Sequence, residues 1–305
     1  MILCRVRCKI LFIGVFTMAN FILLIGTVLL PVAFGVICYV IKKGSRRDFF
    51  AALSGAAILA FNIALFDRLI RSGGRISIAI TNNSIDFNWV VELLSVFLLI
   101  YFIYLGIRLR KRFMFILSIV QLIPFVILEM LYSVKKPYPV CTIDYQAVII
   151  NSAIMVASLI ATVFTIRYMR GYERNLGLKR SAQPSFYLVL FTSISAVNTL
   201  TITDNVLWMY FLWLASALCA FYLVSFNKDS MVDPGALQLI VFNLFGGVLF
   251  ILAVCWVYFI NKTLSVAEIV QFKPYGNIIS LFPLCMILVS YAGVVRSVVF
   301  RIKED

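Results

Sequence analysis

The chain has 305 residues, of which 63% are hydrophobic and 13% charged, with a mean hydropathy of +1.03. A water-soluble domain is nearer half apolar and a quarter charged, so that class is excluded and an all-α, polytopic transmembrane bundle is expected. The net charge of +14 fits basic cytoplasmic loops better than nucleic-acid binding.

Residues 1–17 place Arg5, Arg7 and Lys9 ahead of an apolar run, as in the first section of a signal peptide, but no small-residue cleavage site follows. Met18 is an alternative start, because 19–41 alone makes a full span; residues 1–18 are therefore set apart as a possible extra N-terminal segment. Nine spans are predicted, at 19–41, 49–67, 89–109, 112–134, 145–166, 186–203, 206–226, 237–260 and 277–300. Each has about the 20 apolar residues that a helix needs to cross hydrocarbon of about 30 Å. Pro31, Pro124 and Pro283 fall inside spans, where neighbouring helices can re-satisfy the freed carbonyls, so kinks are expected rather than breaks.

Alternate loops differ in basic charge. The segments 42–47, 108–112, 167–180, Lys228 and the C-terminal Arg296, Arg301 and Lys303 hold more than twice the Lys and Arg of the other set. The richer set is predicted to be cytoplasmic, which puts the N-terminus outside and the C-terminus inside. Two glycosylation sequons, at Asn82 and Asn261, lie on the predicted outer side and read as chance matches.

Chemistry-bearing residues are few. There is no histidine, and the seven cysteines are scattered without a C-x-x-C pair, so neither a metal centre nor a disulfide framework is expected. Nor is there a carboxylate pair, a nucleophile with a base, or a phosphate loop, and no catalytic chemistry of its own is expected of the chain. Ionisable groups in or near spans are Glu92, Glu129, Asp204 and Arg296. Such groups are costly in hydrocarbon and default to functional candidates, although each also reads as a headgroup-level or positive-inside residue. The span amides Asn62, Gln121, Asn151, Asn198 and Asn243 are expected to hydrogen-bond between helices or to line a hydrated path. Gly246-Gly247, one turn after Asn243, marks close helix packing.

Several segments in order carry a resemblance. They are Ile143-Asp144 ahead of a span, RYMRGYERN (167–175), KRSAQPSFYLVLF (179–191), MYFLWLASALCAFYLVSF (209–226), ALQLIVFNLFGGVLFILAV (236–254), LSVAEIV (264–270) and YAGVVRSVVF (291–300). Together they resemble the antiporter-like membrane subunits of complex I, of Mrp cation/proton antiporters and of energy-converting hydrogenases, and most nearly NADH-quinone oxidoreductase chain 5. The motifs cover about half the chain; the first four spans (19–134) match only in character. On this resemblance, 135–305 corresponds to an incomplete first repeat.

The resemblance implies a membrane subunit of a proton- or cation-translocating complex of the NADH dehydrogenase or hydrogenase type. Its partners would be the cell (cytoplasmic) membrane bilayer, other membrane subunits and protons or Na+, with no flavin, haem or iron–sulfur cofactor of its own. The family's motif has a Glu after the Trp of one helix and a Lys on a broken helix, paired beside the proton path. Here Leu214 follows Trp213, and Arg296 takes the Lys position. Leucine carries no proton, and arginine holds its own too tightly to relay it. The expectation is therefore a truncated or degenerate subunit, with Arg296, Glu129 and Asn243 as ion-path candidates and Gly246 and Gly247 as packing residues. Two other readings remain open: a scaffold without transport, and an unrelated multi-span sensor or carrier.

Overall fold

The computed structural model describes residues 26–41, 44–78, 88–131, 141–176, 183–226 and 234–271. The N-terminal segment 1–17, the sequon at Asn82, the predicted span 277–300 and Arg296 lie outside the described residues. The described elements are α1 (Gly26–Val40), α2 (Gly44–Arg71), β1 (Arg75–Ile78), α3 (Asn88–Arg108), α4 (Arg112–Leu131), β2 (Cys141–Asp144), α5 (Tyr145–Leu176), α6 (Gln183–Ile202), α7 (Val206–Ser225), α8 (Pro234–Asn261) and the short α9 (Val266–Gln271). Seven of these helices, α2 to α8, are long and apolar enough to cross a membrane. The protein is an all-α, multi-span membrane bundle, as its composition requires.

Many large apolar side chains point away from the protein, among them Phe113 and Met130, each 76% exposed, and Phe97, Phe164 and Trp256. In water such a surface would drive aggregation; against lipid tails it has no such cost. Several helices outrun the apolar windows. The 32 residues of α5 make a helix of about 48 Å, well beyond the hydrocarbon thickness. Of the basic segments 42–47 and 167–180, read from sequence as loops, residues 44–47 and 167–176 lie within the helical ends of α2 and α5. β1 and β2 pair as a two-stranded ribbon that hydropathy gave no sign of. The Asp144 carboxylate then accepts from the Ala147 N–H at 2.8 Å, capping α5.

The described chain forms two units, each with its own core. The first holds α1, α2, α5 and α6. Its core clusters Cys38, Ala51, Ile58, Met155, Tyr187, Phe191 and Ile194. Small residues bring its helices close: a Cβ at Gly35 would sit 3.1 Å from Phe191 Cβ, and one at Gly55 would sit 2.6 Å from Leu159 Cδ1.

The second unit holds α3, α4, α7, α8 and α9. In it α3 packs on α4 and α7, and α8 packs on α4 and α7. The α3–α4 hairpin turns through Arg110 at φ 54. There the Lys111 N–H donates to Gly106 O at 2.9 Å and the Arg110 N–H to Ile107 O at 3.0 Å, the paired bonds of a Schellman C-cap. α4 runs on through Pro124, as expected for a proline supported by neighbouring helices.

The hairpin generates a paired expectation. Left-handed backbone costs a non-glycine residue about 1–2 kcal/mol, so Arg110→Gly is expected to raise stability by about 1 kcal/mol. A Cβ at Gly106 would lie 2.8 Å from the Phe115 backbone nitrogen, which cannot swing aside, so Gly106→Val is expected to lower stability by about 1–3 kcal/mol. Unfolding in a detergent titration checks both signs.

Candidate functional site

In the second unit α7 presents Leu214 inward, fully buried in an apolar cluster with Leu207, Tyr210, Phe221, Ile240 and Leu244. Its neighbour Trp213 donates its indole N–H to the Asn243 backbone carbonyl at 3.3 Å. The Asn243 side chain turns back and donates to Leu239 O at 2.9 Å, on its own helix. Thus its amide bonds within α8, where a bridge between helices was expected.

The inter-helix amide is Gln121 of α4, fully buried. Its Nε2 donates to Leu117 O at 3.1 Å and to Leu244 O at 3.0 Å on α8. Its Oε1 accepts from the Tyr210 hydroxyl of α7 at 2.9 Å. The Tyr210 ring is held by stacking on Phe125 and Phe250, with centroids 5.6 and 5.9 Å away. Gly247 lies directly against this amide, and a Cβ there would collide with Gln121 Oε1. Gly246 is buried beside it. Glu129 sits half-buried two residues before the end of α4, and Glu92 occupies the first turns of α3.

Asp204 precedes α7 and is 2% exposed. Its Oδ2 accepts from the Ser265 hydroxyl at 2.6 Å, its Oδ1 from the Ala267 N–H at 2.9 Å, and its backbone carbonyl from the Val266 N–H at 2.8 Å. The adjoining Asn205 caps α7 by accepting from the Leu207 N–H and forms a bridge with Ser265. Thr263 completes the turn by donating to Glu268 Oε2 at 2.6 Å. This carboxylate therefore organises the α8–α9 connection, a structural use of a group that sequence placed in the headgroup layer.

A third cluster escaped the sequence reading. In the first unit, Arg47 and Asp48 lie buried in the opening turns of α2. Asp48 Oδ2 accepts from Arg170 Nε at 2.6 Å and pairs with its Nη2 at 2.5 Å. Asp48 Oδ1 accepts from the Tyr187 hydroxyl at 3.3 Å, and Arg47 Nη2 donates to Gln183 Oε1. The signal available was one acidic residue directly after two arginines at a span end. The pair is half open to solvent, because the Arg170 side chain is 57% exposed, so it contributes less than a buried bridge would.

The Gln121 node yields a test. Three hydrogen bonds fix this amide, so Gly247→Ala cannot be relieved by a simple rotamer change and is expected to cost about 1–3 kcal/mol. Gln121→Ala removes the obstacle. The double variant should therefore lose clearly less than the two single losses combined, a coupling read from a double-mutant cycle in detergent unfolding.

With this geometry in place, the family match falls on the second unit. Residues 203–302 match the family described as NADH:quinone oxidoreductase/Mrp antiporter, transmembrane. A relative, NADH-ubiquinone oxidoreductase chain 5 of Wickerhamomyces canadensis, is 25% identical over 242 residues, covering 77% of this chain. The chain spans about a third of that relative's length, 34%. The match begins at the Asp204 junction and takes in α7, the Asn243–Gly247 stretch of α8 and α9. Over residues 203–302 the chain is thus similar to antiporter-like membrane proteins of the NADH:quinone oxidoreductase/Mrp type.

Proposed function

We propose that the chain is a membrane subunit of a proton-translocating complex of the NADH dehydrogenase type, working beside other membrane subunits in the bilayer. The observation that carries this is the family match over 203–302. The chain 5 relative supports the same reading across most of the chain. Within that complex, α7 and α8 act as a packed frame. Leu214 has no exposure and apolar neighbours, and the only buried carboxylate among the described residues of the matched segment, Asp204, is engaged at the α9 cap. Glu129 and Arg296 are the ion-path candidates left to test, for protons or Na+, and the frame role expects neither to carry the flux. The incomplete first repeat starts near residue 135. The membrane is the cytoplasmic membrane of the cell, with the N-terminus outside and the C-terminus inside, a reading that rests on the distribution of Lys and Arg among the loops.

Loss of the chain is expected to remove a high-mass band with NADH dehydrogenase activity from native gels of membranes. NADH-driven proton uptake by inverted vesicles should fall with it. An intact band and unchanged uptake would overturn the assignment. For the frame role, Glu129→Gln and Arg296→Gln in the assembled complex should each change proton uptake per NADH by less than about twofold, because the relay pair has no carboxylate at Leu214. A collapse of uptake with the complex intact would instead make these residues part of the path.

A further inference from the structure

The first unit holds a second group of amides that the family match does not reach. Asn62 of α2, Asn151 of α5 and Asn198 of α6 are 2%, 0% and 0% exposed. Two contacts place them about one stretch of α5. The Ser152 hydroxyl, whose one proton is shared with Val148 O at 2.7 Å, lies 3.0 Å from Asn62 Oδ1, and Asn198 Nδ2 lies 3.6 Å from Met155 Sδ. Asn151, Ser152 and Met155 fall within about 100° of arc on α5, and Met155 is one turn above Asn151. Helical side chains lean toward the N-terminus, so Met155 reaches back over Asn151.

Four atoms of these amides have no hydrogen-bond partner among the described residues: Asn62 Nδ2, Asn151 Nδ2, Asn151 Oδ1 and Asn198 Oδ1. Buried amide atoms nearly always have partners, and a lipid-facing bundle has no bulk water to supply them. The chemistry of the set selects its ligand. Two of the atoms are donors and two are acceptors, and either orientation of the Asn151 amide offers one of each. A cation would meet N–H donors as well as carbonyls. Water both donates and accepts, and a buried water needs two to four polar partners.

We infer that Asn62, Asn151 and Asn198 hold ordered water between α2, α5 and α6. The neutral amides hold it by hydrogen bonds alone, with no proton exchange. The site gives α5 a polar joint to both of its neighbours in the unit.

Met155 is a built-in reporter, since it is 2% exposed and touches Asn198, while Met114 and Met169 are 0% exposed and Met130 is 76% exposed. The full chain in lipid nanodiscs would be mixed with H2(18)O and pulsed with X-rays, and methionine oxidation read by mass spectrometry. Hydroxyl radical formed from a site water should oxidise Met155 at least about fivefold faster than Met114 and Met169. Asn151→Leu and Asn62→Val should each bring Met155 down to the rate of those two, with Met130 unchanged as the control for dose. Leucine at a dry site would only relieve an unpaired amide, so the variant is expected to fold. Met155 oxidised no faster than Met114 and Met169 would overturn the inference. So would oxidation that both substitutions leave unchanged, or that falls when NaCl replaces choline chloride, which would mark a cation site.

Discussion

The carboxamide of Gln121 joins three helices at once. In hydrocarbon a polar side chain has no solvent to fall back on, so an amide placed there must find its donors and acceptors in the protein. Gln121 does this by accepting from Tyr210 on α7 and donating to the backbone of α8 and of its own α4. The stacked rings of Phe125, Tyr210 and Phe250, and the bare backbone at Gly247, follow from that commitment. A larger residue at Gly247 would push against a group that has nowhere else to bond. Aliphatic packing fixes the spacing of these helices, and the amide fixes their register. Leu214, one turn along α7 from Tyr210, then completes a dry apolar surface.

Charge is handled differently, at the ends of helices. The Asp204 carboxylate is held by a hydroxyl and a backbone N–H, which lets it stay buried without a cationic partner among the described residues. Asp48 takes the other course and pairs with Arg170, whose side chain keeps contact with solvent. Long basic side chains can do this from well inside a span end. Asp204 holds a chain connection together and Asp48 ties the start of α2 to α5 and α6.

Hydropathy made the spans legible, because a crossing helix needs a long apolar run and α2 to α8 supply one each. It did not mark where helices end. The apolar run measures the hydrocarbon, whereas the backbone continues bonding to itself through Gly44–Asp48 and through Arg167–Leu176. For the same reason the Asp48 cluster stayed hidden: the segments 42–47 and 167–180 look like solvated loops until the helices are seen to cover 44–47 and 167–176. Polar residues could be found in sequence, but their partners could not. Gln121 stood out as an amide, yet its union with Tyr210 depends on which faces of α4 and α7 meet. Asn243 stood out equally and turned out to bond within its own helix. Asp204 was visible as an ionisable group, and its capping of α9 depends on contacts across some sixty residues of chain.

The interleaving of the two units has a consequence for biogenesis. α3 and α4 are joined by a tight turn and can pair as soon as both leave the ribosome. α2 cannot, because its partner α5 is made only after that hairpin. At ordinary rates of synthesis the delay is several seconds. Throughout it, the part of the buried face of α2 that α5 will cover, with Asn62 and the Asp48 turn, has to be sheltered by something other than α5. Insertion of this protein should therefore depend on a chaperoning surface within the translocation machinery that tolerates polar helices. Slowing synthesis between α2 and α5 would lengthen the time for which that shelter is needed.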